Sequence, residues 1–175
     1  MNRRSQRIGS GSPFEQRFGF SRAVRAGRRV LVSGTAPIWP DGSCDPDPGT
    51  QARRCLQIIA AALEDAGAGM DDVVRTRMFI VDRADSDAVG VAHGEVFGRA
   101  LPAATMVVVA GLLDPRWKVE IEAEAAWLGT ELEAQDAVEM CVPLDAGRMQ
   151  SAPANPKLNK VGKGIEGPEL LVVPA

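Results

Sequence analysis

The chain has 175 residues, a formal net charge of -3, and 45% apolar and 25% charged residues. This length allows one domain with a buried core and an appendage, and the composition is that of a globular protein. The acidic balance argues against nucleic acid as the main partner, because phosphate binding requires clustered cations. No apolar run approaches the roughly 20 residues of a membrane span, and no signal peptide is expected, so the predicted compartment is the cytoplasm, with no membrane partner.

The cysteines and the single histidine limit the chemistry that the chain can support. Cys44, Cys55 and Cys141 are odd in number and include no Cys-x-x-Cys pair, which favours neither a disulfide framework nor a zinc site. Cys55 is expected to fill a helix interface as a small apolar residue. His93 is the only histidine, and its helical setting favours a partly exposed helix residue over a catalytic base. We therefore expect no metal and no cofactor.

The first part of the chain predicts an arm followed by a hairpin. Residues 1–13 are rich in arginine, serine and glycine, which is typical of a disordered or loose arm. Phe18–Arg25 and Arg28–Ser33 then predict two strands joined by a turn at Ala26-Gly27. The second strand leads into Gly34, where the missing side chain lets a ligand or a backbone approach closely, although a simple turn at the end of the strand is the favoured explanation of this glycine.

Two helical patterns and one strand follow. Asp47 is placed to cap a helix with Pro48 at its first position, and Gly67 or Gly69 ends it. Asp72–Val81 is rich in β-branched and aromatic residues and predicts a strand. A second helix is then capped by Asp82 or Ser86 and stopped by Gly98. Its expected apolar stripe is Val89, Ala92, Val96 and Phe97.

Two further strands are predicted before the composition changes. The valine-rich run Met106–Ala110 favours a strand buried on both faces. A turn containing Asp114-Pro115 predicts that it forms a hairpin with the next strand, which alternates strictly. Charged residues take one face of that strand and apolar residues the other: Lys118, Glu120, Glu122 and Glu124 against Val119, Ile121, Ala123 and Ala125.

The glutamates repel one another unless water or cations lie beside them. They form either a solvated strand face or, for one of them, part of a polar cleft. Arg75 and Arg77 share a face of their own strand and are candidate partners for these carboxylates.

The predicted order is β-β-α-β-α-β-β, with both helices on one face of the sheet. The other face then has to be covered, and self-association is the usual solution. The domain is expected to span residues 14–129. Residues 130–175 predict a mobile tail or vector-derived extension, in which Leu170–Val173 could dock as a strand.

Six segments between Phe18 and Leu128 have an informative joint order and spacing. They are Phe20–Val24, Val32–Pro37, Gln51–Leu56, Asp72–Phe79, Pro102–Thr105 and Val119–Ala123. Together they resemble the RidA/YjgF family, also called the endoribonuclease L-PSP or liver perchloric-acid-soluble protein family. The resemblance implies a chorismate-mutase-like α+β subunit and a homotrimer with a small-molecule cleft between neighbouring subunits. It also implies hydrolysis of reactive enamines and imines to 2-oxo acids and ammonia.

The resemblance assigns roles to individual residues. Glu120 stands where the family glutamate positions or activates water. Ser33 and Gly34 frame the site, and Thr105 and Met106 are expected to bind the substrate through the backbone. Phe20 occupies the position of a family tyrosine and lacks its hydroxyl.

The main departure from the family is Ala104, at the position of the arginine that pairs with the substrate carboxylate. The missing contact is worth roughly 1.5–3 kcal/mol, or a factor of about 10 to 100 in binding. Amino-acid-derived imines are therefore poor substrate candidates. Arg22 and Arg77 are the candidate replacements.

Two functional hypotheses follow, with a third that is weaker. The first is a hydrolase, or deaminase, of a small enamine or imine. The second is a non-catalytic trimeric module that binds small molecules or acts like a chaperone, which Ala104 and Phe20 favour. The third is an endoribonuclease, which the single histidine and the lack of a basic stripe disfavour.

Overall fold

The structure is a computed structural model, and it describes residues 5–126. The strands in this range are β1 (Gln6–Ile8), β2 (Ala23–Ala26), β3 (Arg29–Thr35), β4 (Val73–Ile80), β5 (Ala103–Val108) and β6 (Val119–Ala126). The helices are α1 (Pro13–Phe18), α2 (Pro48–Asp65) and α3 (Ser86–Phe97), with short 3-10 turns at Met70–Asp72 and Arg83–Asp85. The predicted tail, residues 130–175, lies outside the described residues. No helix between residues 5 and 126 has the length and apolarity needed to cross a bilayer.

The strands form one sheet in the order β1-β2-β3-β6-β4-β5. Neighbours are antiparallel except β4 and β5, which are parallel. Helices α2 and α3 pack against each other, and α2 covers β3 and β6. The apolar residues of β6 are buried under this layer, while its glutamates lie on the other face and are half-buried. The predicted α+β arrangement, with both long helices on one face, is confirmed.

Helix α2 follows its sequence signals closely. The Asp47 carboxylate accepts a hydrogen bond from the Thr50 backbone N–H at 2.7 Å, and Pro48 is the first helical residue. This satisfies a backbone donor that has no partner within the helix. The helix ends before Gly67, whose φ of 72° is in the left-handed region that glycine adopts without strain.

Helix α3 begins at Ser86, and Asp82 caps the preceding 3-10 turn instead of the helix. The Asp82 carboxylate accepts a hydrogen bond from the Ala84 N–H at 2.9 Å. The predicted apolar stripe is largely correct, because Val89, Ala92 and Phe97 are buried. Val96 is the exception and is exposed.

The predicted hairpin between the last two strands is wrong. β5 pairs in parallel with β4, and β6 pairs in antiparallel fashion with β3 and β4, so that β4 separates the two strands. An alternating pattern and a proline turn look the same whether the strands are neighbours or lie one strand apart. The predicted burial of Met106–Ala110 on both faces is also wrong for a single chain, since Val107 and Val108 on the edge strand β5 are 43% and 55% exposed.

The amino-terminal segment is more ordered than its composition predicts. Gln6–Ile8 of the predicted arm pairs with β2, and Ile8 is buried opposite Ala23. The predicted strand from Phe18 begins only at Ala23, because Phe18 ends α1. The Ser12 hydroxyl caps that helix by accepting from the Phe14 N–H at 3.3 Å. One buried residue is too little apolar periodicity to reveal a strand in the sequence.

Candidate functional site at the β3–β6 junction

The charged face of β6 looks away from the helices and carries its own counter-ions. Glu122 lies opposite Arg77 of β4 and forms an ion pair with it, and Glu124 lies opposite Arg75. Glu124 also forms an ion pair with Arg29 of β3. The expected pairing of the strand arginines with the glutamates is therefore confirmed. Two of the three carboxylates are neutralised by cations across the sheet.

Glu120 has a different environment from the other two. The residue opposite Glu120 on the neighbouring strand β4 is Phe79, whose side chain is uncharged. Burial raises the pKa of Glu120, and the Glu122 carboxylate adds to this rise, while the Arg22 guanidinium opposes it. A carboxyl group with a raised pKa accepts and returns a proton more readily near neutral pH than an ordinary glutamate.

The carboxylate of Glu120 lies directly against Gly34. A Cβ atom at position 34 would overlap Glu120 Oε1, so any side chain there would displace the carboxylate. β3 is irregular at this point, since its register against β6 shifts between Val32 and Thr35. The close approach that the glycine allows is made by the protein's own glutamate, which neither sequence interpretation anticipated.

Ser33 is held by the segment that precedes β2. Its hydroxyl donates a hydrogen bond to the Ser21 carbonyl at 2.8 Å, and its backbone N–H donates to the Arg22 carbonyl at 3.0 Å. Ser33 also lines a groove of about 360 Å³ on the open face of the sheet. The charged residues of that groove are Arg75, Arg77, Glu122 and Glu124.

Arg22 is near enough to Glu120 for the two charges to interact, which the sequence alone could not show. Its Nη2 donates a hydrogen bond to the Gly34 carbonyl at 2.7 Å. Burial lowers the pKa of Arg22, while the carboxylates of Glu15 and Glu120 oppose this and favour its charged form. We call Arg22, Ser33, Gly34 and Glu120 the Glu120 cluster.

The other predicted site residues lie outside this cluster in a single chain. Ala104, Thr105 and Met106 belong to β5, and Glu120 faces Phe79, which in turn faces Val107. β5 is therefore two strands from β6, or about 10 Å at the usual strand spacing. Phe20 precedes the cluster in sequence and is 41% exposed. The candidate site is thus divided between the Glu120 cluster and the β5 edge.

His93 and Cys55 belong to the opposite side of the sheet. His93 Nε2 lies 2.9 Å from Thr76 Oγ1, and Thr76 is buried beneath the helices. Burial lowers the pKa of His93, which favours a neutral imidazole. Cys55 is fully buried in α2 as predicted, and burial raises the pKa of its thiol. Within residues 5–126, no group of three or more histidine, cysteine or acidic residues could hold a metal ion.

The chain is similar in sequence to one protein family and to individual known proteins. The family model described as Endoribonuclease L-PSP matches residues 12–127. An uncharacterized protein of Streptomyces coelicolor is 41% identical over 121 residues, which cover 69% of this chain and 90% of that protein. A RutC family protein of Pyrococcus abyssi is 34% identical over 95 residues, covering 53% and 75% of the two chains.

Solved structures of similar proteins have the same subunit fold. Rv2704 of Mycobacterium tuberculosis, described as a member of the YjgF/YER057c/UK114 family, superposes with a TM-score of 0.65 at 41% identity. The match covers 70% of this chain and 99% of that one. The YjgF gene product of Escherichia coli gives a TM-score of 0.59 at 30% identity, covering 69% and 92%. The predicted chorismate-mutase-like α+β subunit is confirmed.

Proposed function

The chain belongs to the RidA/YjgF family, whose model is described as Endoribonuclease L-PSP, and on that premise we propose that it hydrolyses a small reactive imine or enamine with Glu120 orienting the attacking water. One observation carries the proposal. Glu120 is the glutamate of β6 that faces Phe79 instead of an arginine, and its pKa is raised by burial. A carboxylate of this kind is suited to general acid–base work.

The proposed reaction adds water to the carbon of the C=N bond. The Glu120 carboxylate accepts a proton from the water as the new C–O bond forms. The protonated carboxyl then returns this proton to the nitrogen, which gives a carbinolamine. Glu120 next carries the hydroxyl proton of the carbinolamine to the same nitrogen, and the C–N bond breaks as the C=O bond forms. One imine and one water give one carbonyl compound and one ammonia, with no change in oxidation state. An enamine enters the same path after it tautomerises to the imine.

We propose that the substrate lacks a carboxylate beside the imine. The methyl group of Ala104 cannot bind one, and the two candidate replacement cations have other partners. Arg77 is paired with Glu122, and Arg22 donates to the Gly34 carbonyl beside Glu120. An imine carboxylate entering the site would add a second negative charge near Glu120, while both arginines already serve other carboxylates.

We further propose that the cleft forms between subunits of a homotrimer in the cytoplasm. The β5 edge of one subunit would then bring Ala104, Thr105 and Met106 to the Glu120 cluster of its neighbour. The separation of these two groups within one chain supports this arrangement, because groups about 10 Å apart on one open sheet face leave a small molecule exposed to solvent.

The test follows ammonia release from freshly generated imines. Each imine is used in two forms, one with a carboxylate on the imine carbon and one with a methyl group there. We expect the protein to accelerate hydrolysis of the neutral form more strongly. Glu120→Gln should lose a factor of about 10² or more, the usual contribution of a general base. If Glu120→Gln is as fast as the parent protein, Glu120 is not the catalyst.

Glu124→Gln is the matched control for this experiment. It removes the same charge from the same face of β6, four residues or about 13 Å along the strand. Glu124 is paired with Arg29 and is not part of the Glu120 cluster. Its activity should equal that of the parent.

The alternative function is a trimeric binding module that has lost the chemistry. Ala104 and Phe20 favour it, because the family arginine and the tyrosine hydroxyl are both absent. It predicts that stable imine analogues raise the unfolding temperature, while no imine releases ammonia faster than in buffer. Ammonia release above the rate in buffer would contradict it.

A further inference from the structure

Arg22 makes two hydrogen bonds to β3, the strand that lies next to β6 and Glu120 in the sheet. Its backbone carbonyl accepts a hydrogen bond from the Ser33 N–H at 3.0 Å. Its guanidinium reaches the next residue and donates to the Gly34 carbonyl at 2.7 Å. These contacts lie at the register shift of β3, where the regular ladder to β6 is interrupted. The first contact continues the pairing of β2 with β3, whereas the guanidinium supplies a hydrogen-bond donor to the Gly34 carbonyl at the interruption.

The position of Gly34 determines the position of the Glu120 carboxylate. The two are packed so closely that a single additional carbon at residue 34 would overlap Oε1. A movement of the Gly34 backbone would therefore change the space that is available to the carboxylate. A side chain that fixes this backbone therefore also fixes the proposed general base.

The charge of Arg22 acts on the same carboxylate. Around Glu120, the ionisable groups are Glu122 on its own strand, Arg22 before β2, and Cys55 of α2, a neutral thiol whose pKa is raised by burial. β4 contributes the uncharged Phe79. Glu122 already has Arg77 as its partner, so Arg22 is the cation that opposes the effect of burial on Glu120.

A second carboxylate also interacts with Arg22. Glu15 of α1 lies near the guanidinium, and it accepts hydrogen bonds from the backbone N–H and the hydroxyl of Ser10, at 2.9 and 2.7 Å. Arg22 thus lies between an acid of the amino-terminal helix and the acid of β6. The Nε atom of Arg22 is buried without a hydrogen-bond partner among the described residues. Burial of an unpaired polar atom costs free energy.

We propose that Arg22 is a positioning residue for Glu120, whose guanidinium holds the Gly34 backbone beside the carboxylate and whose charge favours the ionised form of that carboxylate. The catalytic part of this assignment rests on the proposed function. The electrostatic part does not, because it concerns the ionisation of Glu120 in the protein alone.

The experiment is a carbon-13 NMR titration of the Glu120 side-chain carboxyl in the full 175-residue chain. The resonance is assigned by its loss in Glu120→Gln. In Arg22→Gln we expect the titration midpoint to move to higher pH by about 1 unit, the lower end of the effect of an adjacent opposite charge. Arg22→Lys should restore most of the shift, since it keeps the charge. An unchanged midpoint in Arg22→Gln would overturn the proposal.

Arg54→Gln is the control. Arg54 and Arg22 line the same cavity of about 330 Å³ beside α2, but Arg54 donates to the Ile38 carbonyl at 2.7 Å and not to the Glu120 cluster. Its removal should leave the Glu120 midpoint unchanged. A shift in Arg54→Gln as large as that in Arg22→Gln would mean a general field effect and would contradict a specific role for Arg22.

Glu15→Gln keeps the test decisive if Arg22→Gln does not fold. Helix α1 buries no residue, so this change leaves the core intact. Removing the competing carboxylate should lower the Glu120 midpoint by a few tenths of a pH unit, roughly the effect of a solvent-screened charge. An unchanged or higher midpoint would contradict the proposal.

Activity distinguishes this proposal from the proposed function. If the parent releases ammonia, the acidic limb of its kcat profile should move to higher pH in Arg22→Gln and return in Arg22→Lys. An acidic limb that stays in place while the NMR midpoint moves would overturn the catalytic part. If the parent releases none, the proposed function fails, and the NMR midpoints still decide the electrostatic role of Arg22.

Discussion

At the scale of the residue, Glu120 is subject to two opposing influences. Burial and the neighbouring Glu122 carboxylate favour its protonated form, whereas Arg22 favours the ionised form. The net effect is a raised pKa, so burial is the stronger influence. Ionisation of this carboxyl therefore costs folding free energy, as it does for many of the perturbed groups found at functional sites.

Replacing Glu120 by glutamine should stabilise the protein at neutral pH. A raised folded-state pKa means that stability is greatest below the ordinary glutamate pKa and falls as pH rises through the folded value. Glutamine avoids that loss. We expect Glu120→Gln to raise the unfolding temperature at pH 7 by about 1–3 °C, because solvent still screens the carboxylate. Thermal unfolding followed by circular dichroism at fixed protein concentration measures this.

The same melts at acidic pH provide the check. The advantage of Glu120→Gln should disappear as the pH approaches the ordinary glutamate value of 4.5, where the parent carboxyl is protonated as well. A lower unfolding temperature for Glu120→Gln at pH 7 would mean that the Arg22 interaction outweighs burial, contrary to this account.

The sequence could predict which residue types matter but not their contacts. Alternation along β6 separated the glutamates from the core, and the family pattern selected Glu120. Neither could show that Gly34 accommodates the Glu120 carboxylate, because this contact depends on the register shift in β3. The position of Arg22 depends on the same irregularity and was equally out of reach.

At the scale of the element, the sequence predicted the features that depend on residues close together in the chain. The cap and first turn of α2 are determined by Asp47, Pro48 and Thr50, which are neighbours in the chain. β5 and β6 each pair with β4, and β4 ends more than twenty residues before β5 begins. Apolar periodicity describes the faces of a strand but contains no information about which strand lies beside it.

The cap of α2 can be tested separately from the site. Asp47→Ala removes the acceptor of the Thr50 N–H and leaves a helix donor without a protein partner. We expect the unfolding temperature to fall by about 2–4 °C, the usual effect of losing a cap in a domain of this size. Asp47→Ser retains a capping oxygen and should recover most of the loss. Equal unfolding temperatures for Asp47→Ala and the parent would contradict the assigned role.

At the scale of the whole molecule, no other element of the described residues covers one face of the sheet. Helices α2 and α3 cover one face, while the other face and the β5 edge expose large apolar residues. These are Leu31, Val74, Val107 and Val108, each between 42% and 55% exposed. A sheet edge with free backbone groups and apolar side chains is a surface for association.

Self-association would cover this surface and complete the site. It would also bring the β5 residues of one subunit to the Glu120 cluster of another, which a single chain keeps two strands apart. The proposed chemistry and the choice of a neutral substrate both rest on a closed cleft, because a site that excludes bulk water strengthens the electrostatic interactions inside it.

Sedimentation velocity on the 175-residue chain, over the concentrations used to assay ammonia release, tests this requirement most directly. The account predicts a single sedimenting species with three times the mass of the chain. A folded monomer across that whole range would leave the Glu120 cluster open to solvent and would contradict the proposed site.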